Sequence, residues 1–190
     1  MKSTTFLFLL FFSAQTFGQN LIGIQWNDTH IGHNMGVFYE ASAGDLTIGV
    51  GLTALLDNVP DATGNVYLKK AYGKNLKEKM GLNFSLSYPI YQYKESFVLR
   101  GLYRAFYANT RFSWEGDYSP RFVSHEHYLG LKVDIPISNR VVLTQSAGGG
   151  VAYIRDIRAI SFSDGIFGNS ELSYFVSVGL GYRFGVDYKD

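Results

Sequence analysis

A chain of 190 residues with 17 basic and 16 acidic side chains has a net charge of only +1, which excludes the strong positive field that nucleic-acid binding needs. It contains no cysteine, which excludes a disulfide framework and any metal site built on thiolates. Aromatic residues make up 16% of it and 21 glycines stand against four prolines, a balance that suits a β protein with tight turns and excludes a disordered chain.

The N-terminus places Lys2 ahead of the apolar run FLFLLFF, followed by SAQTFGQN with Thr16 and Gly18 as small residues before Gln19. That order is the three-part pattern of a secretory signal peptide. Seven apolar residues fall far short of the roughly 20 that a spanning helix requires. Residues 1–18 are therefore expected to be a signal peptide, and residues 19–190 one domain that works outside the cytosol.

From there the chain alternates with a period of two, which is the signature of β-strands because successive side chains point to opposite faces. The first candidates are residues 21–27 and 34–42. Next, Leu46, Ile48, Val50, Leu52, Ala54 and Leu56 interleave with Asp45, Thr47, Gly49, Gly51 and Thr53. Met80, Leu82, Phe84, Leu86 and Tyr88 then interleave with Gly81, Asn83, Ser85 and Ser87. Residues 97–109, 122–137 and 141–154 follow, and ELSYFVSVGLGYRF, residues 171–184, closes the series at eight strands. A helical period is conceivable only over residues 66–80, where Gly73 weakens it.

The connections alternate in length. Residues 42–45, 88–96 and 137–140 are compact, whereas 56–79, 110–121 and 157–170 are longer and more polar; the short link at 28–33 departs from the trend. Short turns on one side and long loops on the other are the habit of outer-membrane barrels, where the turns are periplasmic.

A soluble barrel also alternates, but it turns its apolar set inward, while a membrane barrel turns it outward. Two features favour the outward arrangement. Aromatic residues sit at both ends of the apolar face: Tyr39, Tyr88, Phe97, Tyr182 and Phe184 below, Trp26, Tyr107, Tyr153 and Tyr174 above. The spans 97–107 and 174–184 match the roughly 9–11 residues that a tilted strand needs to cross hydrocarbon. The polar face, for its part, carries Glu40, Asp45 and Asp134 together with Arg100, Arg104, Lys132 and Arg183, which are expected to pair across a narrow lumen. Small residues such as Gly49, Ser85, Gly148 and Gly179 on that face leave room for those long side chains, so a filled polar interior without an open pore is expected.

The leader, the eight alternating strands, the short and long connections and the terminal Gly181-Tyr182-Arg183-Phe184 together resemble the small outer-membrane β-barrel family of Gram-negative bacteria, the eight-stranded porin-like type. The FGQ cut region and DIPISNRVVLTQ, residues 134–145, resemble members from Bacteroidetes. The resemblance implies an all-β, antiparallel up-and-down transmembrane barrel of eight strands, with ten as the alternative if residues 66–72 pair as a further hairpin. It also implies an outer-membrane location, contact with membrane lipid and lipopolysaccharide, and recognition of Phe184 by the barrel assembly machinery, although GVDYKD follows that residue. A monomer is expected.

Candidate chemistry is sparse. VSHEHYLGLK, residues 123–132, holds a serine, two histidines and a glutamate, but adjacent strand residues diverge, so Ser124 and Glu126 face away from His125 and His127 and form no triad. Small barrels that deacylate lipid A resemble this chain in size and in a strand histidine, yet their His-x-Ser pairing maps here to His125-x-His127 without a serine. His125 and His127 share a face and could bind a metal only with help from His30 or His33. Lys69, Lys70, Lys74, Lys77 and Lys79 in the longest connection are read as a solvated charged loop, with attraction to lipopolysaccharide phosphates as the functional alternative. No catalytic, metal or cofactor residue is expected, and the chain is read as non-enzymatic. The readings set against an outer-membrane barrel with an interaction or structural role are a soluble lipocalin-like barrel around an apolar ligand and a lipid A hydrolase.

Overall fold

The computed structural model describes residues 20–29, 32–55, 76–94, 96–112, 121–156 and 170–185. The expected leader, the extra hairpin at 66–72, the lysines from Lys69 to Lys74 and the tail beyond 185 lie outside them. Eight strands follow in order: β1 (Asn20–Thr29), β2 (Gly32–Ala43), β3 (Leu46–Leu55), β4 (Leu76–Tyr93), β5 (Phe97–Phe112), β6 (Arg121–Pro136), β7 (Val141–Asp156) and β8 (Ser170–Phe184). Each pairs antiparallel with the next, and β8 returns to β1, from Asn20↔Phe184 to Thr29↔Phe175. Closure gives every strand two neighbours and removes the open edges that a sheet otherwise exposes.

The short connections are made by local chemistry. Between β2 and β3 only Gly44 and Asp45 intervene, and Gly44 takes φ +63°, the positive value that a two-residue hairpin favours at its first position. Between β4 and β5 the turn is tighter than the sequence pattern suggested, because β4 continues to Tyr93 and the chain reverses through Lys94 at φ +49°. Pro89 falls inside β4 at a register shift between Pro89 and Tyr91, the kind of irregularity at which a strand accommodates proline. After β6, the Ser138 hydroxyl accepts from the Arg140 and Val141 amides at 3.3 and 3.0 Å and holds the reversal into β7.

Two alternatives bear on the stretch before and within β4. The helical reading at 66–80 gives way at its C-terminal end to strand, since β4 starts at Leu76 and pairs with Phe112; neighbouring β5 supplies a ladder that satisfies these backbone groups. Among the described residues the barrel closes with eight strands, the number expected, and the hairpin at 66–72 that would make ten lies outside them.

Candidate functional site

The two sets of side chains on each strand end on opposite sides of the wall. On β6, Ser124, Glu126, Tyr128, Lys132 and Asp134 are buried inside, while His125, His127, Leu129 and Leu131 are exposed outside. The same division holds on β1, where Gln25 and Asn27 are buried and Ile22, Ile24 and Trp26 are exposed. A soluble barrel has the reverse polarity.

The lower lumen is crossed by an ionic chain. Lys132, 2% exposed, donates to Glu40 Oε2 at 2.5 Å and approaches Asp134 Oδ1 at 3.3 Å. Arg100 Nε donates to Asp134 Oδ2 at 2.9 Å, and its Nη1 donates to Thr47 Oγ1 at 3.1 Å. Since β2 and β6 are four strands apart in a ring of eight, the Glu40–Lys132 pair spans the barrel like a strut. Gly49 makes the room: a Cβ there would lie 2.3 Å from Ser85 Oγ and 3.2 Å from Glu40 Cγ. The charges are tolerated because each is paired, and Arg100 is further hydrogen-bonded to Thr47.

Higher up, Arg104 reaches from β5 toward the opposite strand β1, where its Nη1 donates to Asn27 Oδ1 at 3.4 Å. It makes no ion pair among the described residues; its guanidinium instead lies 5.7 Å from the Phe106 ring centre and 5.0 Å from that of Phe175, within cation–π range. Asn27 Nδ2 in turn donates to Asn34 Oδ1 at 2.7 Å. Tyr128 packs against both rings, edge-on to Phe106, and its hydroxyl donates to Glu126 and receives Ser173 Oγ at 2.7 Å.

Of the charges assigned to the lumen, Glu40, Asp134, Arg100, Arg104 and Lys132 are where the alternation puts them. Asp45 is a correction: it sits in the exposed β2–β3 turn and accepts from Tyr88 Oη at 3.4 Å, because the hairpin reversal carries it off the strand face. Arg183 is half-buried at the lower end and forms no ion pair among the described residues. The interior is also less uniformly polar than expected, with Leu102, Phe106, Tyr128 and Phe175 in one apolar cluster and Leu21, Phe38 and Val142 in another. Phe106, Tyr128 and Phe175 fall on the inward register of their strands, so alternation places them among the polar set although their type suggests the outer face.

Outside, the lower ring of aromatics is assembled as the pattern implied. Tyr39 lies 6.2 Å from Phe184 and donates to Asn20 Oδ1 at 2.9 Å, and Tyr182 Oη accepts from Arg140 Nη1 at 2.8 Å. Tyr91 and Tyr93, on the extension of β4, add two rings beside Phe97 at 6.1 and 6.0 Å. At the upper end His33 stacks on Trp26 at 5.5 Å and pairs with Asp28 at 3.1 Å. His125 lies 4.9 Å from Tyr107, and His127 lies 6.3 Å from both Tyr103 and Tyr153. Tyr103 Oη and His127 Nδ1 are 2.8 Å apart.

The barrel separates groups that the sequence left open to combination. His33, on β2, lies on the opposite side of the ring from β6, so it cannot join His125 and His127 around one metal ion; His30 lies outside the described residues. Ser124 and Ser173 are buried in the lumen, on the far side of the wall from both histidines.

No family model and no curated protein sequence matches the chain. Among solved structures it is similar to the N-terminal β-barrel domain of Pseudomonas aeruginosa OprF, with a TM-score of 0.58 at 9% identity over 88% of this chain and 98% of that one. It is also similar to Neisserial surface protein A (0.48, 13% identity, 87% and 95% covered) and to a major outer membrane protein from Thermus thermophilus (0.47, 15% identity, 87% and 98% covered). At these identities the likeness is one of fold.

Proposed function

We propose that the chain is an integral outer-membrane β-barrel, non-enzymatic, with a filled interior, whose role is structural or interactive through the loops at its upper end. The observation that carries this reading is the inverted polarity of a closed barrel. An ionic chain and amide groups occupy the inside, while large aliphatic side chains are exposed on the outside of six of the eight strands, from Ile24 on β1 and Val37 on β2 through Val50 on β3, Leu82 on β4 and Leu131 on β6 to Val178 on β8. At about 25 cal/mol per Å2, leaving such a belt in water is strongly unfavourable, and hydrocarbon removes that cost. The soluble lipocalin-like reading needs an apolar ligand cavity, and the Glu40–Lys132 strut runs through the space it would occupy.

The aromatic rings at the two ends of the belt fit membrane–water interfaces, where an amphipathic ring has its apolar body in lipid and its polar tip in water. Outer-membrane lipid and lipopolysaccharide are the partners this surface suits, and delivery by the barrel assembly machinery follows from the same reading. The strut below and the Arg104–Phe106–Phe175 packing above leave the lumen occupied by side chains, consistent with a barrel that conducts no solute. Expression of the full-length chain in a Gram-negative host tests the proposal: it should fractionate with the outer membrane and migrate differently in gels before and after heating. Recovery as a soluble periplasmic protein would overturn it.

A further inference from the structure

The outer wall is not uniform around the ring. On β7 the outward residues Ala147 and Gly149 are small and exposed, and a Cβ added at Gly149 would meet only the Ser173 carbonyl at 3.9 Å. The register sets Leu129 and Tyr174 on either side of Gly149, and Leu131 and Val176 on either side of Ala147. Leu129 is 72% exposed, so it stands out from the wall as a rib. Ribs two strands apart are separated by roughly 9–10 Å, which leaves a trough one alkyl chain wide with β7 as its floor.

Directly above the trough the surface changes character. His127 and Val151 form the next level, then His125 and Tyr153, with Tyr107 beside His125 and Tyr103 hydrogen-bonded to His127. These rings hold one another, and both histidines remain exposed. Each imidazole carries a ring N–H, and among the described outward side chains of β5, β6 and β7 no carboxylate stands beside them.

We propose that this sector is a binding site for one phosphorylated lipid of the surrounding bilayer, with an acyl chain in the Ala147–Gly149 trough and the phosphate against His125 and His127. Polar donors above an apolar slot reproduce the layout of an amphiphile standing upright in a leaflet. Ring N–H and phenol donors above the slot are complementary to the oxygens of a phosphate, and a neighbouring copy of the same apolar wall offers no such group. The site rests on the membrane reading above.

The test uses the full-length chain inserted in phosphatidylcholine vesicles, with spin-labelled phosphatidic acid and spin-labelled phosphatidylcholine as probes of motionally restricted lipid. The wild type should prefer phosphatidic acid by about fivefold, the size of one net hydrogen bond. The His125→Ala/His127→Ala variant, altered only at exposed positions, should lose that preference. Gly149→Leu, built into open space, should reduce the restricted fraction of both probes. An inserted, heat-modifiable barrel that shows no preference, or whose preference survives the double histidine variant, overturns the lipid site alone. A chain that does not insert overturns the membrane reading and the site together. A disulfide-linked dimer formed through Gly149→Cys in the vesicles would put a second copy in the trough, and it also overturns the site.

Discussion

Leu131 and Lys132 are neighbours in the chain and opposites in environment: Leu131 is 50% exposed on the outer wall, whereas the Lys132 ammonium is buried in the lumen between two carboxylates. In a water-soluble barrel a leucine and a lysine on adjacent strand positions would exchange places. The difference teaches that the wall of this barrel, one strand thick, divides a charge-paired interior from an apolar exterior, and that each strand satisfies both by alternation. Inside, stability depends on pairing charges that cannot leave; outside, it depends on the absence of anything that must be paired.

The sharpest way to break the inner half is Lys132→Met, which leaves Glu40 and Asp134 without their shared cation. It should cost about 3–5 kcal/mol in urea unfolding of the vesicle-inserted barrel, the usual penalty for a stranded buried charge. Adding Glu40→Leu in the same chain should recover most of that loss, because removing both partners of a buried pair is near neutral. An equally large loss in the double variant would show that the strut is not what Lys132 supports.

The matching cut on the outer half is Leu131→Arg. If the belt lies in hydrocarbon, the same unfolding experiment should show a loss of about 2–4 kcal/mol, the depth-dependent cost of a cation on the lipid face of a barrel. A variant as stable as the parent would contradict a lipid-facing belt, since a charge exposed to water costs almost nothing there.

A smaller effect is expected in the upper lumen. Tyr128→Phe removes the hydroxyl that donates to Glu126 and receives Ser173. Leaving those buried groups without a partner should cost about 1–3 kcal/mol while the ring keeps its contacts with Phe106 and Phe175. The smallest effect lies in a turn outside the comparison altogether: Lys94→Gly relieves the positive φ of the β4–β5 reversal, and the unfolding free energy should shift by no more than about 1 kcal/mol in either direction.

Much of this arrangement is readable from residue order alone, and the places where it is not are informative. The period of two places Ser124 and Glu126 on one face of β6 and His125 and His127 on the other, as the structure has them. It misplaces Asp45 because a hairpin turn breaks the alternation at its reversal, and it stops β4 short because Tyr91 and Tyr93 follow a proline-marked register shift. Tyr103 carries no signal as a partner of His127: the two belong to different strands, and only the β5–β6 register brings them to 2.8 Å.

By itself the sequence determined that there are strands, which residues share a face, and that one face is apolar with rings at its ends, because side-chain direction along a strand is a local property of the backbone. Which charge meets which was decided only by closure of the ring. Glu40 and Lys132 are separated by 92 positions and meet because β2 and β6 stand opposite each other in a barrel of eight. That pairing depends on strand number and stagger around the whole circumference, quantities that no single strand contains.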